Sequence, residues 1–262
     1  MNNSLEFWKN IIVEASEIDY GISVPEIDQL FLNVWAEHYY RISSITMPDM
    51  DFFEIGTGFG VLAAGLARIS GKKCFSVEHP SRSYFHSSAY LEFLKSNSVV
   101  LSACDLIDGI PFKDNSFSRV YLCDVIEHLC FTDVRTLLHE IHRILTPCGR
   151  LIISTPNLNR AGNFIRMMKG YSPNPPLYPE SCGATHGHIR EFAPAELSAL
   201  LKRHSLMPMK IEFGLNPFFT ADAFGDENIF SAKGAARINR INGWLFRCIP
   251  RLGDEIYMVA RK

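Results

Sequence analysis

Apolar and polar positions follow two different periods along this chain. Apolar residues recur every three or four positions in residues 4–18 and 25–42, and this spacing predicts two helices near the start. Short continuous apolar runs then alternate with longer amphipathic segments as far as residue 157. The runs predict buried strands, and the segments between them predict helices.

The alternation predicts an α/β fold. The predicted strands are MDFFEI, KKCFSVEH, SVVLSACD, SRVYLCDV and GRLIISTPN, and the predicted helices are VLAAGLARIS, residues 83–96 and DVRTLLHEIHRIL. We expect the last of these helices to be closed by Pro147 and Gly149. Strands that alternate with helices form right-handed βαβ units, which give a mainly parallel sheet with helices on both faces.

The alternation of predicted strands and helices becomes irregular after Asn157. The segment YSPNPPLYPESCGATHGHIREF is rich in proline and glycine and predicts no regular element. A helix, APAELSALLKRHS, and two strands, MPMKIEFG and the terminal DEIYMVARK, follow it. A longer insertion over residues 215–253 separates these two strands.

Composition excludes several kinds of protein. The net charge of −2 gives no sign of a nucleic-acid surface, so no nucleic-acid partner is expected. The seven cysteines are scattered without a C-x-x-C pair, which favours reduced thiols over a disulfide framework. The opening MNNSLEFWKN does not resemble a secretion signal, and no apolar stretch approaches the roughly 20 residues that cross a bilayer. We therefore expect a cytoplasmic protein without a transmembrane segment, either a monomer or a homodimer.

The stretch FFEIGTGFG places three glycines at every second position after the first strand. Glycines there let backbone N–H groups approach a ligand, although a tight turn without a ligand would use them as well. The dinucleotide fingerprint would require a glycine at Val61, and a Walker A loop would require G-K-[ST]. The loop therefore matches neither a pyrophosphate site nor a triphosphate site.

Acids stand at the ends of three successive predicted strands: Glu54, Glu78 and Asp105. Glu78 is placed to accept from both hydroxyls of a ribose, and Asp105 from an adenine amino group. The segment CDVIEHL ends the fourth strand, where it would form one wall of the pocket. A single acid of this kind could equally lie on a solvated surface. Three acids, without a lysine that could hold a phosphate, favour a polar, cationic ligand.

The runs FFEIGTGFG, FSVEH, ACDLIDGIPFKDNSFSRVYLCDVIEHL and EIHRILTPCGRLIISTPN occur in this order over about residues 50–157. They resemble class I S-adenosylmethionine-dependent methyltransferases, in particular the type 11 and type 23-like group that modifies small molecules and glycans. HGHIREFAPAEL is similar to a segment that follows the fifth strand in this group. The resemblance implies a Rossmann-like, mostly parallel sheet of seven strands with the last strand antiparallel.

The resemblance also implies which residues bind S-adenosylmethionine and its product S-adenosylhomocysteine. The glycine loop would face the methionine portion, Glu78 the ribose, Asp105 and the Leu106 backbone the adenine, and residues 123–125 the sulfonium. The implied cofactor residues are Glu54, Gly56, Thr57, Gly58, Gly60, Glu78, His79, Asp105, Leu106, Cys123, Asp124 and Val125. Thr57 replaces a frequent cysteine of the group, and Cys148 replaces a frequent glycine.

Three histidines are candidates for proton transfer. Methyl transfer mainly needs alignment of the reactants, and a hydroxyl acceptor also benefits from a base. His186 and His188 lie in a loop expected to reach the mouth of the site, whereas His128 could instead orient or pack behind the cofactor. No third ligand accompanies the H-x-H pair, so we predict no metal site.

Other residues are candidates for binding the acceptor. Arg190 would either grip an acidic group of the acceptor or pair with Glu191 to anchor the loop. Tyr171 and Tyr178 would line an apolar pocket. Residues 235–251 carry helically spaced apolar positions among arginines, which predicts either a packed helix or a helix lying on anionic lipid.

We expect a methyltransferase that acts at an oxygen of a small-molecule or saccharide acceptor, a lipid-linked one included. Residues 1–45 would form a helical N-terminal cap, and residues 46–262 the methyltransferase domain. Insertions at about 158–192 and 215–253 would complete the lid over the acceptor. Two alternatives are a catalytically silent binding or scaffold protein and, disfavoured by Val61, a nicotinamide oxidoreductase.

Overall fold

A computed structural model describes residues 3–20, 28–106, 108–168, 170, 172–173, 188–215, 244 and 246–262. Two helices open the chain, α1 (Leu5–Ser16) and α2 (Gln29–Ile45). Each begins at a residue whose side chain caps the first turn. Ser4 Oγ accepts from Phe7 N at 3.2 Å, and Asp28 Oδ1 accepts from Phe31 N at 2.7 Å.

The remaining elements are seven strands and five further helices within the described residues. The strands are β1 (Phe52–Ile55), β2 (Cys74–Glu78), β3 (Val99–Ala103), β4 (Phe117–Cys123), β5 (Leu145–Pro156), β6 (Met207–Gly214) and β7 (Glu255–Arg261). The helices are α3 (Val61–Ser70), α4 (Ser88–Ser96), α5 (Phe131–Ile144), α6 (Ala161–Met168) and α7 (Pro194–Arg203). Short 3₁₀ turns cover Ser83–His86, Ile126–His128 and Pro250–Leu252.

The strands form one sheet in the order β3-β2-β1-β4-β5-β7-β6. Strand β7 runs antiparallel to both neighbours, and the other described pairs are parallel. This confirms the predicted Rossmann-like sheet with an antiparallel last strand. Strand order reverses between β1 and β4, and ligands of such sheets bind at the carboxyl ends of the strands near that point.

Both faces of the sheet are buried at its centre, where every residue of β1 is buried, whereas the edge strands β3 and β6 are partly exposed. Consecutive residues of β1 enter two different cores, because side chains alternate across a strand. Phe53 packs in the cluster that contains Leu137 of α5, and Phe52 packs in the cluster that contains Trp8 of α1. The helices on the two sides therefore fix the position of β1 and of the loop that follows it.

The N-terminal helices pack directly on the sheet domain. A Cβ atom on Gly65 of α3 would lie 2.1 Å from Trp8 Cζ3, so this close approach of α1 requires glycine. Tyr20, which follows α1, donates its hydroxyl to Phe59 O at 3.2 Å. The N-terminal segment thereby reaches the glycine loop.

Some element boundaries differ from the prediction. Helix α5 ends at Ile144, one residue before the predicted end, and β5 begins at once, so Pro147 and Gly149 lie inside this strand. Cys148 has φ of +64°, a conformation that favours glycine. The helix predicted over residues 83–96 is divided, because a 3₁₀ turn precedes α4. Helix α6 was not predicted.

Candidate active site

The glycine loop (residues 56–60) joins β1 to α3 and packs against two neighbours. Gly56 has φ of +78° and Gly60 has φ of +79°. A Cβ atom on Gly56 would lie 2.5 Å from Val125 Cγ2, and one on Gly60 would lie 2.5 Å from Leu94 Cδ2. Both glycines are therefore required by conformation and by space, and the loop brings bare backbone to the carboxyl edge of the sheet.

Glu78 ends β2 beside this loop. Its Oε2 accepts from Gly58 N at 3.0 Å, and its Oε1 accepts from His79 N at 2.8 Å. Tyr90 of α4 donates its hydroxyl to Gly58 O at 2.8 Å. The carboxylate predicted to bind a ribose is thus buried and fixed in place. Tyr84 and Arg82 also interact with this carboxylate, and Arg82 Nε lies 3.8 Å from its Oε1. A carboxylate has about four acceptor positions, so it can still accept from a ligand hydroxyl.

Glu54 lies within β1 and is 3 % exposed. Burial, and secondarily the charge of Glu78, raises the pKa of its carboxyl group. Among the described residues, no hydrogen-bond partner lies within reach of its Oε2. A buried carboxyl oxygen without a partner is costly, and a cationic ligand group would satisfy it.

The predicted adenine residues follow β3. Asp105 lies two positions after Ala103, the last residue of this strand, and its Oδ2 is 3.5 Å from His79 Nε2. Both side chains are partly exposed at the carboxyl edge. Leu106 is half-buried and packs against the hydrophobic core. Glu78, His79 and Asp105 therefore lie on adjacent strand ends, as predicted.

The turn after β4 is held in an unusual conformation. Asp124 has φ of +55°, its N donates to Ser154 O at 3.1 Å, and its Oδ1 accepts from Ser154 Oγ at 2.9 Å. Cys123 is the last residue of β4, and Val125 contacts the glycine loop. These bonds fix the segment predicted to flank the sulfonium.

His38 of α2 connects this turn to β7. The sequence did not reveal this contact. It is 2 % exposed, with Nε2 3.2 Å from Asp124 Oδ2 and Nδ1 2.9 Å from Glu255 Oε2. Tyr257 Oη lies 3.0 Å from the same Nδ1 and donates to Glu255. Burial alone would lower the pKa of His38, but the charges of Asp124 and Glu255 outweigh it and raise the pKa to about 10.

Two of the candidate histidines lie together with a buried acid. The rings of His128 and His188 are 5.0 Å apart between centroids, and one ligand atom each of Glu127, His128 and His188 lie within 4.8 Å of one another. Glu127 Oε2 accepts from Thr155 Oγ1 at 3.0 Å. Burial, followed by the charge of Asp124, raises the pKa of Glu127. We call these three residues the His–Glu cluster.

The cluster is held by backbone and side-chain bonds. Ile189 N and Arg190 N donate to Glu127 O at 2.8 and 3.1 Å. His188 Nδ1 is 3.4 Å from Glu191 Oε1, and Glu191 is buried in an ion pair with Arg160 at 2.5 Å. His128 and His188, which are 60 positions apart in sequence, are thereby held side by side at the carboxyl edge of the sheet.

Arg190 and Glu191 do not form the ion pair considered from the sequence. Arg190 pairs with Glu196 of α7 and lies over the ring of Phe192, whereas Glu191 pairs with Arg160. Three other candidate residues and most of the arginine-rich segment lie outside the described residues: His186, Tyr171, Tyr178 and residues 235–243.

Comparison with known proteins found a family model that part of the chain matches. Residues 53–153 match the family model of the methyltransferase domain. A comparison with curated protein sequences found no match. Within the described part of the chain, no helix combines the length and the apolar character needed to cross a membrane.

Solved structures share the fold at low sequence identity. A SAM-dependent methyltransferase from Archaeoglobus fulgidus has a TM-score of 0.55 and 17% identity, covering 86% of this chain and 92% of that one. The [4+2]-cyclase SpnF has a TM-score of 0.60 and 13% identity, covering 98% and 93%. Phosphoethanolamine N-methyltransferase 2 from Haemonchus contortus, in complex with S-adenosyl-L-methionine, has a TM-score of 0.56 and 16% identity, covering 98% and 56%.

The chain therefore has the fold of class I S-adenosylmethionine-dependent methyltransferases. More particularly, residues 53–153, which contain the ordered motifs, match the family model of the methyltransferase domain. The predicted cofactor, S-adenosylmethionine, agrees with both findings.

Proposed function

We propose that this protein is an S-adenosylmethionine-dependent methyltransferase acting at an oxygen of a small-molecule or saccharide acceptor. The observation that carries the proposal is the carboxyl edge of β1 and β2. There a tightly packed glycine loop, a fixed carboxylate at Glu78 and a partnerless carboxylate oxygen at Glu54 lie together. These hydrogen-bond acceptors suit a ligand that donates from ribose hydroxyls and from an ammonium group.

The residues present fit S-adenosylmethionine part by part. Glu54 Oε2 would accept from the ammonium of its methionine portion, and Glu78 would accept from the ribose hydroxyls while keeping its bonds to Gly58 and His79. Asp105 would accept from the adenine amino group, and Val125 would pack near the sulfonium. The bound cofactor supplies a methyl group that is already activated.

The His–Glu cluster supports oxygen as the methylated atom. A hydroxyl acceptor must lose a proton, and a positioned base typically accelerates such a reaction by about 10²–10⁴-fold. The contact of His188 Nδ1 with the buried Glu191 favours the tautomer with the proton on Nδ1. His188 Nε2 is then basic and would take the proton. An amine acceptor would have less need of this arrangement.

The acceptor itself would be selected by the N-terminal cap and by the insertions at 158–192 and 215–253. A small-molecule or saccharide acceptor remains our proposal, as does a cytoplasmic location. A second function, binding without methyl transfer, has one observation in its favour. A [4+2]-cyclase shares this fold, so cofactor binding alone does not establish methyl transfer.

Mass spectrometry of cells with and without the protein separates these functions. We expect a metabolite or glycan that gains a methyl group in the presence of the protein, and purified protein should transfer labelled methyl from S-adenosylmethionine to it. Cofactor binding with no labelled product from any extract would favour the binding function. Methylation at nitrogen instead would contradict the assignment to oxygen.

A further inference from the structure

We propose that Glu127, His128 and His188 form a binding site for a divalent first-row transition-metal ion. Its ligands would be the carboxylate of Glu127 and one ring nitrogen from each histidine. The sequence showed no third ligand for a metal, because Glu127 is far from His188 along the chain. The metal's role in catalysis rests on the proposed function, but its binding does not.

The ligand set has the chemistry of a known kind of metal site. Two imidazoles and one carboxylate bind Zn²⁺ in catalytic sites and Fe²⁺ in oxygenases, and both leave coordination positions open. The three ligand atoms already lie within 4.8 Å of one another, so small side-chain rotations bring them to a common ion. Nitrogen ligands favour Zn²⁺, Co²⁺ or Fe²⁺ over Mg²⁺.

The backbone holds the two parts of this site together. Ile189 N and Arg190 N both donate to Glu127 O, which joins the segment bearing His188 to the turn bearing Glu127 and His128. The ligands are thus held by hydrogen bonds that do not involve their side chains.

The surroundings of His188 also fit a metal ligand. Histidines that bind metals usually donate their other ring N–H to a carboxylate, which fixes the tautomer and the ring orientation. Here His188 Nδ1 faces Glu191 Oε1 at 3.4 Å, and Arg160 holds Glu191 from the other side. In this arrangement, Nε2 would be the ring nitrogen of His188 that binds the ion.

The local charge favours a cation. Besides Glu127, a second acid lies at the site: Glu191 Oε1 is 3.4 Å from His188 Nδ1. His38 and Arg160 are each already engaged by other acids of this region. A divalent ion would offset the remaining negative charge.

An open coordination position gives the site a use in the proposed reaction. With the ion bound, His188 would be a ligand and would no longer take the proton itself. A hydroxyl group bound to the ion is a stronger acid than a free hydroxyl, so its proton can pass to solvent near neutral pH. The acceptor class that fits is therefore a molecule with a hydroxyl group able to bind a metal ion.

Titration of the full chain with Co²⁺ tests the site. The protein is first treated with a chelator and dialysed, and visible absorption is followed as Co²⁺ is added. We expect one equivalent to bind and Zn²⁺ to displace it. His128→Ala, His188→Ala and Glu127→Gln should each weaken binding at least about tenfold, since each removes one of three ligands. His139→Ala, an exposed histidine of α5, should not change it.

The affinity for S-adenosylhomocysteine is measured on the same samples and shows whether each variant is folded. If a variant loses it, the conservative changes His128→Asn and His188→Asn replace that variant. Absence of a Co²⁺ signal in protein that binds S-adenosylhomocysteine would overturn the metal site but leave the proposed function standing. An equally strong signal in the folded His128 and His188 variants would also overturn it.

Discussion

The two sides of the candidate site differ in how the chain builds them. On the cofactor side, the glycine loop and Glu78 follow neighbouring strands, and the parallel pairing of β1 with β2 brings them together. On the acceptor side, the His–Glu cluster joins segments far apart in sequence through the bonds to Glu127 O. The cofactor side is therefore set by local motifs, and the acceptor side by tertiary contacts.

This difference suggests that the two sides have separable roles. Changes on the cofactor side should alter affinity for S-adenosylmethionine, and changes in the cluster should alter turnover. Three predictions test this separation, and a fourth tests the contribution of His38 to stability. We order them by the size of the expected effect.

His188→Ala should produce the largest effect. We expect turnover to fall by about 10²–10⁴-fold, the usual contribution of a positioned base, with cofactor affinity unchanged. Transfer of labelled methyl to cell extract measures turnover, and calorimetry with S-adenosylhomocysteine measures affinity. His139→Ala is the matched control. A wild-type rate for His188→Ala would remove this residue from the chemistry.

Gly56→Ala should damage the cofactor side. The new Cβ would lie 2.5 Å from Val125 Cγ2 at a residue with φ of +78°. Left-handed strain of roughly 1–2 kcal/mol and overpacking of about 1–3 kcal/mol should together weaken cofactor binding by about 100-fold. Gly162→Ala is the control, since no atom lies within 4 Å of its added Cβ. Equal affinities for the two variants would contradict the packing of the loop.

Glu78→Ala should weaken binding of S-adenosylmethionine at least about tenfold, the loss of roughly one charged hydrogen bond. The exposed Glu92 of α4 provides the control, as Glu92→Ala. Calorimetry gives both dissociation constants. If Glu78→Ala binds as tightly as the wild type, the ribose assignment is wrong.

His38 should make stability depend on pH. Its pKa in the folded protein is about 10, above the ordinary 6.5, so the protonated ring stabilises the fold. This contribution is complete below about pH 6.5 and falls as pH rises toward 10, by at most about 1.4 kcal/mol per pH unit. His38→Gln lacks it.

Urea unfolding of both proteins between pH 7 and 10 measures the effect. The free energy of unfolding of the wild type should approach that of His38→Gln as pH rises, because other titrating groups are common to both. Parallel curves would mean that His38 is not protonated in the folded protein.

The sequence predicted the sheet because its strands are short apolar runs between amphipathic helices. It also placed Glu78 at the end of its strand, and Glu54 and Asp105 within two residues of theirs, since that position depends only on the length of each run. Helix α6 was missed because its segment precedes the stretch rich in proline and glycine and was considered only as part of the insertion at 158–192.

The contacts of the acceptor side could not be predicted in the same way. His38 fits the apolar spacing of α2, and its partners Asp124 and Glu255 are distant in sequence. Glu191 pairs with Arg160 and not with Arg190, the partner considered from the sequence. The packing of residues 188–192 decides this pairing. Such pairings follow from tertiary structure and leave no periodic signal.

Calorimetric titration of the purified protein with S-adenosylmethionine, S-adenosylhomocysteine and NAD tests the central claim most directly. We predict saturable binding of both sulfur compounds at one site, weakened by Gly56→Ala and by Glu78→Ala, and no binding of NAD. Heat with NAD alone, or no heat with either sulfur compound, would contradict the account.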